Sequence, residues 1–433
     1  MTFTVHAYRG QILFFDPILS TIQQPKPIWH EDGLLIVADG RIQHVGDYET
    51  LYPTLPPHVL VHDYRGKIIS PGFIDTHIHY PQTDMIASPA PDLLPWLETY
   101  TFPTESNFHD PQHADQVSRF FLNELLRNGT TTALVYGSVH KSSVESFFTQ
   151  SAQRNMRMVA GKVLMDRNCP EYLQDTAITG AQDSADLIER WHHKGRQLYA
   201  LTPRFAPTSS PGQLQSCQAL ANAYPDIFIQ THVAESQAEI AWVNELFPSY
   251  RSYLDIYDHY DLVRPRAVYG HGIYLDQQDW QRIAQSGASI SHCPTSNLFL
   301  GSGLFDSHQA LHHQASFSLG TDVGAGTSFS LLKTMAAAYQ IARLKNHYLN
   351  AFQLFYLATA GAAQQLQLEM VGSFSIGNEA DFIIIDDTAT PLLSRRQNGA
   401  ASLEERLFSL ITLGDDRCIQ ATYIAGQCQH LRS

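Results

Sequence analysis

The chain has 433 residues, of which 44% are hydrophobic and 16% charged, enough apolar material for a large core and too little polarity for a disordered chain. Its formal net charge of -14, with no basic cluster, argues against a nucleic-acid or anionic-membrane partner. The start, "MTFTVHAYRGQILFF", lacks a basic segment followed by an apolar core and cleavage site, and no apolar run approaches the roughly 20 residues needed to span a bilayer. Cys169, Cys217, Cys293, Cys418 and Cys428 are scattered and lack CxxC spacing, so they read as reduced thiols of a cytoplasmic protein.

In chain order, the first stretch, residues 1–66, reads as short strands: "QILFFDP", "GLLIVADGRIQHVGDY" and "VLVHDYRGKIIS". The "DG" between two alternating runs predicts a hairpin. Residues 67–375 then alternate eight short apolar runs with longer helical stretches. The runs are "KIISPGFIDTHIH", "TTALVYG", "MRMVAGKVLM", "LYALTPRFAP", "IFIQTHVAE", "AVYGHGIY", "ASISHCPTSN" and "FSLGTDVGAG". Helices are expected at "PQHADQVSRFFLNELLRNG", "QDSADLIERWHHKG", "SPGQLQSCQALANAYP" and "DQQDWQRIAQSG". Eight strand–helix repeats predict an α/β fold, a closed (β/α)8 TIM barrel. Residues 376–433 return to strands, "ADFIIIDD" and "RCIQATYIAGQCQ". Both ends together predict one small β-sandwich domain.

Ionisable residues fall at the C-terminal ends of these runs, where barrels build their sites. His77 and His79 close the first run, Arg204 the fourth, His232 and Glu235 the fifth, His271 the sixth and Asp322 the eighth. Each has an ordinary structural explanation. With 21 histidines one H-x-H pair is expected by chance; a lone His232 is commonly a core residue; the glycines around His271 relieve crowding at a rim; Asp322 is a natural N-cap. Together they require five coincidences at one end of one barrel. Residues two apart on a strand share a face, so His77 and His79 can share an ion. Imidazoles with a carboxylate suit Zn²⁺, one ion per chain, with Fe²⁺ an open alternative. Glu235 suits proton transfer rather than ligation, and Asp322 reaches both ion and water. The fourth strand end carries Arg204 and no lysine, against a two-metal centre. Cys293 reads as a small core residue, His292, His312 and His313 as structural or surface, and "GTDVGAGTS" as a flexible loop.

The order "PGFIDTHIH", "HVAES", "GHG", "GTD" resembles the amidohydrolase superfamily, metal-dependent hydrolases on this barrel with a small β-sandwich. Within it, "DTHIHYPQ", "LLPWLETYTFPTE", "TPRFAPT", "VYGHGIYL" and "SHCPTSNLFLGSG" are similar to the guanine deaminase family over essentially the whole chain. The resemblance implies zinc-dependent hydrolysis of guanine at C2 to xanthine and ammonia, in purine catabolism or salvage. It implies zinc on His77, His79, His232 and Asp322, Glu235 as proton shuttle, and His271 positioning the attacking water. Gln82 and Arg204 are then base-recognition residues, with Phe205 and Trp96 bordering the ring. An Arg guanidinium matches O6 and N7 of guanine, whereas adenine would leave a buried charge unmatched. The stretch "PDLLPWLETYTFPTE" is expected to be a lid-like loop. Related barrels pair, which suggests a homodimer. Two other readings stay open: deamination of another aminopurine, pterin or triazine such as 8-oxoguanine, and a non-catalytic scaffold.

Overall fold

The computed structural model describes residues 5–432. Met1–Thr4, the beginning of the N terminus read above as leader-free, and Ser433 lie outside them. The eight expected strands form: Phe73–His79, Thr130–Tyr136, Arg157–Gly161, Gln197–Pro203, Phe228–Val233, Ala267–His271, Ser289–His292 and Ser316–Leu319. Each is parallel to the next in chain order. The ring closes where Asp322 N–H donates to His77 O and His79 N–H donates to Val323 O, both at 2.8 Å. The strands are buried almost throughout because helices cover the barrel's outside.

Those helices start and stop where local chemistry says they should. Pro111–Arg127 begins with Asp110, whose side chain accepts from Gln112 N–H, and buries Ala114, Val117, Phe121 and Leu125 on one face. Ala177–Trp191 and Gln277–Ser286 open with capping boxes at Thr176 and Asp276. Gly287, left-handed at φ 73°, ends the latter. Inside the ring, Ile74, Leu134, Val159, Ala200, Phe228 and Val268 from six strands form an apolar plug with Ala362 and Leu366. The polar residues are thereby left to the other end.

The two termini combine in a seven-stranded sheet, ordered Gln427–Leu431, Ile419–Ile424, Phe382–Ile385, Leu60–Pro71, Val5–Phe15, Pro27–Ala38, Arg41–Asp47. The predicted hairpin turns at Asp39 and Gly40, with φ of 49° and 74°, the pair of positive values a two-residue turn of this kind needs. Among the described residues no helix is long and apolar enough to cross a membrane.

Three local expectations fail. The C-terminal stretch contains helices Pro391–Gln397 and Leu403–Leu413 besides its strands. Their caps, Thr390 and Ser402, are present in the sequence but are overshadowed by the flanking apolar runs. The lid-like stretch is helical rather than a loop: Leu93–Trp96, a π turn over Leu97–Thr101, then Phe102–Ser106. The π turn re-registers the hydrogen bonds, and Pro103 sits where a first-turn N–H has no partner anyway. The glycine-rich stretch 320–326 is buried at every position, not a free loop.

Candidate active site

Three imidazoles converge at the strand ends. His79 Nε2 lies 3.3 Å from His77 Nε2 and 3.2 Å from His232 Nε2. Asp322 Oδ1 stands 3.3 Å from His77 Nε2 and 3.4 Å from His79 Nε2. Nitrogen ligands about 2.0–2.1 Å from a tetrahedral ion stand about 3.3 Å apart, so this spacing fits a metal better than it fits mutual hydrogen bonding, in which three neutral rings would have to point proton or lone pair at the same place. The tautomer of His232 agrees: its Nδ1 donates to Arg204 O at 2.7 Å, leaving the Nε2 lone pair free.

The charges suit the same role. Burial pushes His77, and more strongly His79 and His232, below the ordinary histidine range, so all three are neutral lone-pair donors. Burial alone would raise Asp322, but the facing His77 and His271 outweigh it and hold the carboxyl at about 2. Cys293 lies within ligand reach of His77, His271 and Asp322, but burial keeps its thiol protonated. It is the small core residue the sequence suggested.

Local sequence explains how the cluster is built. A Cβ on Gly270 would sit 2.5 Å from His77 Cε1, so the first "GHG" glycine makes room for the His77 imidazole. Asp75, fully buried, accepts from the N–H groups of His77 and Thr321 at 3.1 Å and from Thr321 Oγ1 at 2.5 Å. It joins the first and eighth strand ends and so sets His77 against Asp322. Tyr136 stacks on His79 with centroids 4.3 Å apart. Sequence reasoning missed both; Asp75 was detectable as the residue two before His77 on the same strand face. His271 and Asp322 have φ of 72° and 53°, left-handed values costing roughly 1–3 kcal/mol each, and such strain gathers at working sites.

Glu235 Oε1 accepts from Ser302 Oγ at 2.9 Å, and Oε2 lies 3.3 Å from His271 Nε2. Burial pushes the Glu235 carboxyl up to about 7, poised for proton transfer. Burial opposes charge on His271 as well, but Glu235 and Asp322 prevail and raise it. His271 Nδ1 meets Asn297 Oδ1 at 2.9 Å, which leaves Nε2 toward the cavity.

The cavity at these strand ends is lined by His79, His232, Glu235, His271 and Asp322 and also by Gln82, Arg204, Phe205 and Trp96. The structure thus brings together every expected site residue, with His77 directly behind the lining. It adds one: Glu105, fully buried, accepts from Gln82 Nε2 at 2.9 Å and from Arg204 Nη1 at 2.7 Å. The expectation that adenine would leave Arg204 as an unmatched charge is therefore wrong, because Glu105 already pairs it. The fourth strand end carries Arg204, and Lys162 stands at the end of the third. Its ammonium is held by Asp175 at 2.6 Å. His292 is buried against Phe305, with centroids 4.5 Å apart.

The family model described as "Amidohydrolase family" matches residues 68–428. The chain belongs to the amidohydrolase family. Among known amidohydrolases it is 46% identical to the guanine deaminase of Escherichia coli (strain K12) over 99% of both chains. The solved E. coli guanine deaminase superimposes with a TM-score of 0.96, covering 99% of this chain and 100% of that one. A guanine deaminase from C. acetobutylicum, solved with guanine in its active site, is 30% identical with a TM-score of 0.88, covering 98% and 99%. The amidohydrolase barrel and the imidazole cluster thus occur in one chain, with the cluster at the strand ends.

Proposed function

We propose that this chain hydrolyses guanine at C2, releasing ammonia and leaving xanthine, with one zinc ion per chain held by His77, His79, His232 and Asp322. The observation that carries the reading is the single cavity that Glu235 and the imidazole cluster line together with Arg204 and Gln82. The likeness to guanine deaminases along the whole chain supports the same substrate. Iron(II) would suit the same N/O donor set.

His77, His79, His232 and Asp322 would hold a divalent cation, whose chemistry there would be to lower the pKa of water toward ~7 so that hydroxide is available at neutral pH. Glu235 takes the proton as oxygen adds to C2 and delivers it to N3, so the C2=N3 bond opens without building charge on the ring. It then moves the remaining hydroxyl proton to the exocyclic amine. The C2–N bond breaks, ammonia departs and C2 becomes a carbonyl. His271 hydrogen-bonds the oxygen on C2, its ring fixed by Asn297. Arg204, whose Nε and Nη2 have no protein partner among the described residues, reads O6 and N7, and Gln82 reads another edge. Phe205 and Trp96 border the ring, and the helical segment 93–106 keeps bulk water out.

The test is detection of ammonia and xanthine from guanine, with and without a strong chelator, beside metal analysis. Parallel assays on 8-oxoguanine, a pterin and an aminotriazine decide substrate; a faster rate on any of them overturns guanine. Metal-loaded protein that releases no ammonia from any aminopurine establishes the scaffold reading. Glu235→Ala should keep its metal and lose about 10²- to 10⁴-fold in turnover. We also infer a cytoplasmic homodimer: five free thiols support a reducing setting, and related barrels pair, which light scattering checks.

A further inference from the structure

The base-facing side of the cavity contains a buried ion pair. Arg204 is 3% exposed and Glu105 fully buried. A guanidinium is charged at every working pH, so an unpartnered Arg204 would make this wall cationic. Glu105 Oε2, 2.7 Å from Arg204 Nη1, cancels that charge. Its other oxygen accepts from Gln82 Nε2 at 2.9 Å, while Gly324 N–H donates to Gln82 Oε1 at 3.2 Å. These two bonds fix which way the Gln82 amide faces. Glu105 does not come from the barrel. It belongs to the helical segment over the site, and Phe102, one turn earlier, lies 5.5 Å from Arg204 Cζ. The charge of the base wall is thus set by the cover.

We propose that Glu105 is a positioning residue that keeps the base subsite electrically neutral, so that it accepts neutral purine bases and disfavours their anions. The proposal rests on the purine reading above and deepens it. Guanine is neutral at working pH, whereas xanthine, with one more ring N–H, on N3 beside the new C2 carbonyl, loses a proton near neutrality. A neutral subsite therefore favours substrate over ionised product and promotes product release. An uncompensated Arg204 would do the reverse, attracting the anion in a low-dielectric cavity.

The experiment is calorimetric binding of hypoxanthine and xanthine to metal-loaded protein at pH 8. Both carry O6 and N7 and neither has the amine to lose; hypoxanthine is mostly neutral there and xanthine mostly anionic. Glu105→Gln should tighten xanthine relative to hypoxanthine by about tenfold or more, while Glu105→Asp stays near the wild-type ratio. For guanine, Glu105→Gln should raise KM more than it lowers kcat. Arg204→Gln, leaving Glu105 charged, should move the binding ratio the opposite way, and it decides the matter should Glu105→Gln fail to fold. A ratio within twofold of wild type in the folded variants overturns the proposal. Guanine turnover is scored separately: wild type that binds both purines but turns over no guanine sinks the proposed reaction and leaves the charge test standing. Wild type that binds neither purine sinks both.

Discussion

His232 Nδ1 donates a hydrogen bond to the main-chain carbonyl of Arg204 at 2.7 Å, across neighbouring barrel strands. A carbonyl only accepts, so this contact fixes the tautomer that leaves His232 Nε2 free to ligate. Arg204 thereby acts through different atoms: its carbonyl orients a metal-competent imidazole, and its side chain lines the cavity.

Separate atoms predict separable losses. Arg204→Ala retains the carbonyl, so metal content should stay near the wild-type level. KM for guanine should rise by about tenfold or more, since a charge-assisted hydrogen bond is worth roughly 1.5–3 kcal/mol. Leaving Glu105 buried and unpaired should also lower stability. Elemental analysis beside steady-state kinetics checks this; loss of metal in a folded variant would show that the side chain supports the cluster.

Gly270→Ala tests the packing of the cluster. The added methyl would meet the His77 ring at 2.5 Å, and His77 is also crowded by Gly320, whose own Cβ would lie 2.6 Å from His77 Cβ. The ring has nowhere to retreat. We expect the fold to survive and metal affinity to fall about 10- to 100-fold, as for other displaced ligand geometries. Competition with a metallochromic chelator measures it, and an unchanged affinity would refute the crowding argument.

The barrel and the terminal sheet are joined by buried charges. Arg157 and Arg196 of the barrel meet Glu379, and Arg196 also meets Asp381, just ahead of the strand Phe382–Ile385. Arg196 Nε donates to Glu379 Oε2 at 3.0 Å. Glu379→Ala removes the acceptor of Arg157 and one of the two carboxylates that pair Arg196, and should destabilise by about 3–5 kcal/mol. Urea unfolding should show an earlier midpoint, with turnover per folded molecule unchanged. A midpoint equal to wild type would mean the cluster contributes nothing net.

His292 predicts an acid limb in stability. Burial pushes its imidazole down to about 3, so the folded state holds it neutral. An unfolded histidine titrates near 6.5, as an approximate reference. The unfolded chain therefore binds the extra proton first: the stabilisation is present above about pH 6.5 and lost progressively toward the folded value. At pH 5 the loss is about 2 kcal/mol. His292→Phe keeps a ring against Phe305 and removes the titration, so its stability should fall less than wild type between pH 7.5 and 5. Parallel slopes would mean other groups carry the acid limb.

Periodicity and local chemistry were enough to read much of this protein from its residues. Eight short apolar runs separated by capped amphipathic helices specify the barrel, because helix capping and the side-chain period of strand and helix depend on near neighbours. The same period placed His77 and His79 on one face, and the polar strand ends identified Arg204, His232, Glu235, His271 and Asp322. Contacts between distant positions were not legible. Glu105 lies 99 residues from Arg204, and Asp75 lies 246 from Thr321. No local pattern marks such a pair, since partnership depends on where two elements pack. The cover shows the limit most clearly. Expected as a loop, it is helical through a π turn and brings Phe102 and Glu105 onto Arg204. Sequence located the groups that can carry the chemistry; tertiary packing decided which charges are cancelled and which tautomers and side-chain orientations they hold.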